Sequence, residues 1–281
     1  MTKYKHFVIT LFNLRLSWTT DKKNNRTGTD RWLAERFDLF DKYCFPSVST
    51  QTNKNFVWLC LFDIDTPLAY KERIKEYEAK CPQMAVCYFR PEDMEGDWVD
   101  HFKDIIKGYM SADDAYLIIT NADNDDMIHQ NMVERIQSEF EKNHKEGVYS
   151  MLYGYQYFPD NGLLLKMRYP HNHFLSLVER YNPDFKTLKS EAHGRIRRYY
   201  DNVDIEDEPY WVEFVHSRNV NNSLRITSRI KYYPVFRTVS FNNFGLDQTL
   251  TKGANIKNTL TVLPWLFIKT AFHKIKKKAA K

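Results

Sequence analysis

Four short apolar runs, each followed by polar residues, dominate the first half of the chain. They span residues 6–12, 56–62, 84–89 and 115–120, and their β-branched and aromatic content is typical of buried strands. The segments between them predict helices over residues 30–43, 66–80, 98–110 and 126–145. Alternating strands and helices favour parallel strands joined by crossovers. We therefore predict an α/β fold with an open sheet that is mostly parallel in the N-terminal half and flanked by helices.

The second half has a less regular pattern. Apolar runs predict strands over residues 148–158, 163–169 and 211–216, which would complete a mixed sheet. We predict one domain over residues 1–250 and a separate basic tail over residues 251–281.

Charge is distributed unevenly along the chain. The formal net charge is +5, yet no acidic residue follows Asp247, whereas eight lysines do. The part of the chain up to Asp247 is therefore mildly acidic, which weakens an interpretation as a nucleic-acid binder. The four cysteines form no CxxC pair, so we expect buried thiols in a reducing compartment. No secretory signal and no run of ~20 apolar residues is evident, and we expect a cytoplasmic protein.

The most informative polar feature is the acidic sequence that follows the fourth predicted strand. In an extended turn, residues two apart point to the same side, so Asp123 and Asp125 could direct their carboxylates at one point. A cation between them would relieve their repulsion, and carboxylate oxygens suit Mg²⁺ or Mn²⁺. The alternative is that Asp125 or Asp126 only caps the next helix. A third arrangement combines the two, with Asp126 as the cap and the other pair as ligands.

Four sequence blocks resemble one known family. The blocks HFVITLFNLR, QTNKNFVWLCLFDIDTP, ITNADNDDMIH and WVEFVHSRNVNN are similar to the rhamnosyltransferase family of glycosyltransferases with the GT-A fold. The resemblance covers residues 6–222. It implies a seven-stranded mixed sheet flanked by helices, a nucleotide-sugar donor, and Mn²⁺ or Mg²⁺ as cofactor. It also implies transfer of a sugar such as rhamnose to a saccharide. If the protein docks on a membrane, a lipid-linked saccharide becomes the expected acceptor.

The resemblance also implies roles for individual residues. Asp123, Asp125 and His216 would bind the metal, with Asp123 also contacting the donor. The nucleotide would lie against Thr10, Asn13 and Arg15, and either Asp63 or Asp65 would bind the base. Arg90 would offset the diphosphate charge. Each of these residues could instead be an ordinary loop or capping residue.

Sugar transfer by inversion also needs a base that takes the proton of the acceptor hydroxyl. The acidic run at residues 204–208 lies just before the strand that ends at His216, where inverting enzymes of this fold often place the base. We predict Asp207 as the base and Glu206 as the second choice. The alternative is a solvated acidic loop.

The tail has an amphipathic pattern. Residues 264–281 predict a helix with Pro264 in its first turn and with Trp265, Ile268 and Phe272 on one face. Lysines occupy much of the opposite face, a combination that favours an anionic membrane surface. We therefore expect peripheral attachment to the inner face of the membrane. The alternative is a helix that packs on the protein and leaves its lysines in solvent.

Two other functions compete with the glycosyltransferase hypothesis. Asp63 and Asp65 after a buried strand are typical of haloacid-dehalogenase phosphatases, although Thr66 and Pro67 replace the usual Gly and Thr. A non-catalytic binding module on the same fold is the other alternative. The pair His171 and His173 is interpreted as surface polar residues, because no third ligand is evident beside it.

Overall fold

The computed structural model describes residues 3–14, 26–95, 97–191, 193–216, 224–225 and 227–279. The strands are β1 (Tyr4–Leu11), β2 (Val57–Asp63), β3 (Met84–Phe89), β4 (Tyr116–Asn121), β5 (Met127–Ile128), β6 (Gly147–Met151), β7 (Tyr153–Phe158), β8 (Leu163–Arg168), β9 (Ser176–Arg180), β10 (Asn202–Ile205), β11 (Trp211–Phe214), β12 (Lys231–Pro234), β13 (Val239–Ser240) and β14 (Thr249–Leu250). The helices are α1 (Asp30–Leu39), α2 (Phe45–Ser49), α3 (Leu68–Lys80), α4 (Trp98–Tyr109), α5 (Met132–Asn143), α6 (His193–Ile196) and α7 (Lys252–Ala279). A π-helical segment, Phe40–Cys44, joins α1 to α2.

The main sheet has seven strands in the order β10-β6-β9-β4-β1-β2-β3. Strands β3, β2, β1 and β4 are parallel to one another, whereas β9 runs antiparallel to both β4 and β6. The prediction of an α/β fold with a mixed sheet, parallel in its N-terminal half and flanked by helices, is confirmed. Because parallel strands present their carboxyl ends at one edge, the loops after β1, β2 and β4 meet there.

Both faces of this sheet are covered, which explains the apolar runs in β1, β2 and β4. One cluster of buried side chains joins the sheet to α1, α3 and α5 through Phe37, Ile74 and Ile136. A second cluster on the opposite face joins it to α4 through Phe102 and Ile106. The free cysteines Cys44, Cys60 and Cys81 are buried and Cys87 is half-buried, as the sequence predicts.

A second, five-stranded sheet has the order β12-β8-β7-β11-β5. In it, β11 pairs antiparallel with β5 and parallel with β7. Trp211 of β11 is buried, and its ring lies against the backbone of Gly154 in β7. A β-carbon at residue 154 would lie 2.0 Å from the Trp211 ring, so only glycine fits there.

We expect Gly154→Ala to lower the free energy of unfolding by about 3 kcal/mol, because the added methyl group displaces a buried indole. Urea denaturation would measure the change. Gly108→Ala is the matched control, because nothing lies within 4 Å of a β-carbon there and residue 108 is helical. That control should be neutral or stabilising by up to ~1 kcal/mol. Equal effects of the two substitutions would contradict the packing argument.

Several predicted helix boundaries are wrong for identifiable reasons. The helix expected from residue 126 begins at Met132, because Met127–Ile128 pairs with β11, and its N-cap is Asn131 rather than Asp126. The helical region predicted to end at residue 43 continues through the π-helical segment and α2 to Ser49, with Pro46 in the first turn of α2. The run over residues 148–158 forms two strands separated at Leu152.

The C-terminal helix is longer than predicted. It begins at Lys252, so Pro264 lies inside α7 rather than in its first turn. Val262, Leu263 and Leu266 of α7 pack against a cluster that includes Leu163 and Leu165 of β8, and this packing supports the helix on both sides of the proline. Among the described helices, none combines the length and the apolar character that crossing a membrane requires.

Candidate active site

The acidic sequence after β4 lies at the carboxyl edge of the main sheet, as predicted. Because β9 is antiparallel to β4, it begins at this same edge, with Ser176 opposite Thr120. His173, three residues before Ser176, is therefore brought to the residues that follow Thr120. The backbone completes the arrangement, since Asn121 N–H donates to the Leu175 carbonyl.

Asp123, Asp126 and His173 form a compact cluster. Their candidate ligand atoms all lie within 4.8 Å of one another. The His173 Nε2 atom is 2.7 Å from Asp126 Oδ2 and 3.7 Å from Asp123 Oδ2. The Asp126 side chain is 0% exposed, whereas that of Asp123 is 46% exposed, so the cluster opens to solvent on the Asp123 side.

A β-turn brings the two carboxylates together. Asp126 N–H donates to the Asp123 carbonyl at 3.4 Å, and such a turn places its first and fourth residues side by side. The other Asp126 oxygen accepts the N–H of Phe214 at 2.7 Å, which ties the turn to β11. The Asn121 side-chain amide donates to Asp123 Oδ1 at 2.9 Å and to the His173 carbonyl at 2.8 Å.

The electrostatics of the cluster favour a positive charge between the carboxylates. Burial and the charge of Asp125 raise the pKa of Asp126. Burial alone would lower the pKa of His173, but Asp123 and Asp126 outweigh it and raise that pKa. The raised pKa of His173 favours its imidazolium form beside the two acidic side chains. A divalent cation can take over this role.

Asp125 points to a different set of partners. Arg36 of α1 donates from Nη1 to Asp125 Oδ2 at 2.7 Å, and His216 Nε2 lies 3.3 Å from the same oxygen. Burial by itself would raise the pKa of Asp125, but Arg36 and His216 outweigh it and hold that pKa well below its ordinary value. Arg36 also donates to Asn124 Oδ1 at 3.3 Å. Asp125 therefore lies beside His216, and its carboxylate is paired with the Arg36 guanidinium, while the metal-ligand role of the two residues stays a prediction.

The residues predicted to contact the nucleotide lie at the same edge. Thr10 is fully buried, and its hydroxyl donates to the Ala122 carbonyl and accepts from Trp58 Nε1 at 3.0 Å, so it positions the acidic turn. Asn13 accepts the N–H of Asp63 at 3.1 Å. Asp63 accepts the N–H of the exposed Asp65 at 2.7 Å.

Arg90 is exposed at the end of β3, and its guanidinium is 3.5 Å from Glu92. Arg15 lies outside the described residues.

The two predicted bases lie elsewhere. Asp207 lies before the first residue of β11, whereas Asp126 accepts the N–H of Phe214, the last residue of β11. The two acidic residues are therefore at opposite ends of this strand. Asp207 accepts from Arg135 at 2.7 Å, and Glu206 accepts from Arg168 at 2.5 Å. The structure does not bring these carboxylates to the cluster, and the base role stays a prediction.

The sequence analysis missed three residues of this site. Asp126 was interpreted as a helix cap, His173 as a surface residue, and Arg36 was not singled out. One signal could have identified His173, namely its position just before the mostly apolar residues 174–178. If that run forms a strand antiparallel to β4, it begins at the edge of the sheet where β4 ends.

Comparison with known proteins defines the class. A family model described as "Putative rhamnosyl transferase" matches residues 15–228, about three quarters of the chain. Together with the mixed α/β fold, this match places the chain in a family of sugar transferases. The chain belongs to the family described as "Putative rhamnosyl transferase". No curated protein matches the sequence.

Solved structures give only distant similarities. S. aureus TarS residues 1–349 has 12% identity and a TM-score of 0.42, covering 75% of this chain and 60% of that one. The same TarS fragment in complex with UDP-GlcNAc has 11% identity and a TM-score of 0.38, covering 75% and 59%. A protein described as "putative nucleotide-diphospho-sugar transferase" from Desulfovibrio desulfuricans G20 has 8% identity and a TM-score of 0.36, covering 74% and 82%. The chain thus spans about three fifths of the TarS fragment, and TM-scores this low carry no argument about function.

Proposed function

We propose that this protein is a metal-dependent glycosyltransferase that moves a sugar from a nucleoside-diphosphate donor to a saccharide or lipid-linked saccharide hydroxyl. The observation that supports the proposal is the cluster of Asp123, Asp126 and His173 at the carboxyl edge of the sheet. Two carboxylates and one imidazole suit Mn²⁺, and Mg²⁺ is the alternative. These three side chains would hold the ion. When bound, it would supply Lewis-acid stabilisation of the departing diphosphate.

The nucleotide would lie against the loops after β1 and β2. Asn13, Asp63 and Asp65 are linked by hydrogen bonds there, and Asp65 is exposed. We infer that the exposed Asp65 carboxylate accepts hydrogen bonds from the base or the ribose, while Asn13 and Asp63 orient it. The family points to rhamnose as the transferred sugar.

We infer an inverting transfer, in which the acceptor oxygen attacks the sugar carbon from the side opposite the diphosphate. The acceptor proton then passes to a carboxylate base. The phosphatase alternative is not supported. Asp63 would have to be an accessible nucleophile, whereas it is buried and accepts the N–H of Asp65.

A thermal-shift panel tests the donor class. UDP, dTDP, GDP and CDP would each be added with and without Mn²⁺ to the full chain. A nucleotide at 100 times its dissociation constant adds ~2.7 kcal/mol to the free energy of unfolding. We expect one nucleotide to raise Tm by several degrees, and only when Mn²⁺ is present. Equal shifts without the metal would contradict the metal dependence, and no shift with any nucleotide would contradict the donor class.

We further propose that α7 binds an anionic membrane surface. Trp265, Ile268 and Phe272 are 57%, 55% and 63% exposed and recur every three or four residues, so they share one face. Val262 and Leu266, which pack on β8, lie on another face, so α7 can contact the protein and a second surface together. The eight lysines after Asp247, with no acidic residue among them, provide the complementary charge for anionic lipids.

Cosedimentation of the full chain with lipid vesicles tests this surface. We expect binding to vesicles of phosphatidylcholine with phosphatidylglycerol and weak binding to phosphatidylcholine alone, since each lysine near an anionic surface contributes ~1 kcal/mol. The triple variant Trp265→Ser, Ile268→Ser, Phe272→Ser should lose most of the binding. Leu68→Ser, at an exposed leucine on α3, is the control. Binding by the triple variant equal to that of wild type would contradict the proposal.

A further inference from the structure

Lys189, in the segment between β9 and α6, lies beside Asn121 at the border of the candidate metal-binding cluster. Its Nζ donates to Asn121 Oδ1. The amide nitrogen of the same Asn121 side chain donates to Asp123 Oδ1 at 2.9 Å and to the His173 carbonyl at 2.8 Å. A single side chain therefore connects the Lys189 ammonium group to two members of the cluster.

The backbone around Lys189 is held in a fixed turn. The Lys189 N–H donates to Thr187 Oγ1 at 3.0 Å, and the Ser190 N–H donates to the Thr187 carbonyl at 3.0 Å. Thr187 is fully buried, and Leu188 packs in the core cluster that includes Phe185. These contacts fix the start of the lysine side chain, so its position beside Asn121 is determined by the fold.

The ammonium group lacks an anionic partner at contact distance. Within the described ranges, no carboxylate oxygen lies within 4 Å of Lys189 Nζ. Lys189 is half-buried, and burial lowers the pKa of its ammonium group, a shift that the charge of Asp123 opposes. A further negative charge beside it would compensate for the burial. Its Nζ has three protons, and Asn121 accepts only one. The other two are available to an anionic ligand near the partly exposed Asp123.

We propose that Lys189 binds the diphosphate of the donor and stabilises the charge that the leaving nucleoside diphosphate gains. This inference rests on the proposed function. In the transfer, the acceptor oxygen forms a bond to the sugar C1, and the bond from C1 to the diphosphate oxygen breaks. The electron pair of the broken bond stays on that oxygen, and the acceptor proton goes to the base. The charge of the bound diphosphate favours the ammonium form of Lys189, which interacts with the growing negative charge.

Lys189→Gln, compared with wild type and Lys189→Arg, tests this role. Isothermal titration with UDP, dTDP, GDP and CDP and with the matching monophosphates would be done in the presence of Mn²⁺. A charge-assisted hydrogen bond predicts a loss of about 10- to 100-fold in diphosphate affinity for Lys189→Gln. We expect the affinity for monophosphates and the affinity for Mn²⁺ alone to change by less than about threefold. Such a change is smaller than the loss of one charge-assisted hydrogen bond would cause. Lys189→Arg should recover part of the loss, and kcat should fall more than KM rises, because the charge is greatest in the transition state.

The control is Lys186→Gln, at an exposed lysine three residues earlier. Its diphosphate affinity should equal that of wild type. If wild type binds a nucleoside diphosphate and Lys189→Gln binds it equally well, the role of Lys189 is refuted while the proposed function stands. If Lys189→Gln loses Mn²⁺ binding as strongly as diphosphate binding, Lys189 only positions Asn121 and the inference is also refuted. Failure of wild type to bind any of the four diphosphates would refute the proposed function and this inference with it.

Discussion

Replacing Asp126 by Asn is expected to lower kcat/KM by about 1,000-fold and to abolish Mn²⁺ binding, because the cluster loses its buried charged ligand. The amide oxygen of Asn can still accept the Phe214 N–H that Asp126 Oδ1 accepts at 2.7 Å, so the fold should persist. Electron paramagnetic resonance would measure free Mn²⁺ at several protein concentrations. Circular dichroism and Tm would confirm that the variant is folded.

Asp125→Asn distinguishes the cluster of Asp123, Asp126 and His173 from the ligand set expected from the sequence, in which Asp125 and His216 bind the metal. Asp125 is engaged by Arg36 at 2.7 Å, so its substitution should change stability more than Mn²⁺ binding. His173→Gln should resemble Asp126→Asn, and His216→Gln should resemble Asp125→Asn. If Asp125→Asn and His216→Gln lost Mn²⁺ while Asp126→Asn kept it, the site would consist of Asp123, Asp125 and His216.

Arg36→Met is expected to lower the free energy of unfolding by about 3–5 kcal/mol. The substitution removes the guanidinium partner of the buried Asp125 carboxylate, and breaking a buried ion pair from one side is among the most costly single changes. Methionine retains most of the apolar volume of the arginine stem, so the lost charge accounts for most of the effect. Urea denaturation at pH 7 would give the difference.

Two further variants isolate the role of charge. Arg31→Met on the same helix is the control, because the Arg31 side chain is 90% exposed and its pairing with Glu35 should contribute less than ~1 kcal/mol. The double variant Arg36→Met, Asp125→Asn should recover part of the stability, since both charges are then absent. Equal losses for Arg31→Met and Arg36→Met would contradict a structural role for the buried pair.

The sequence was sufficient to predict the first half of the fold. Residues 57–63, 84–89 and 116–121 form strands close to the predicted limits, because strands covered on both faces have continuous apolar sequences. The alternation of strands and helices predicts parallel strands whose carboxyl ends share one edge of the sheet. The same pattern therefore predicts that the acidic sequence after the fourth strand lies at that edge. Those inferences depend on local patterns, which one sequence contains.

The composition of the cluster could not be predicted in the same way. Pairing Asp123 with Asp125 assumed an extended chain, whereas the turn at Asn124 and Asp125 places Asp126 beside Asp123. His173 reaches the site only through the antiparallel pairing of β9 with β4, a contact between segments distant in sequence. Arg36 likewise contacts Asp125 across 89 residues. Neither contact leaves a periodic pattern in the sequence.

The origin of the cluster in two separate strands has a consequence for folding. Asp126 and His173 are 47 residues apart in the chain, so an ion held by both closes a long loop between the start of β9 and the end of β4. In the unfolded chain these groups are rarely close, and the ion would bind almost only to the folded state. A metal bound for catalysis would therefore also act as a reversible crosslink at the antiparallel pairing of β4 with β9, and the added stability would grow with the logarithm of the free-ion concentration.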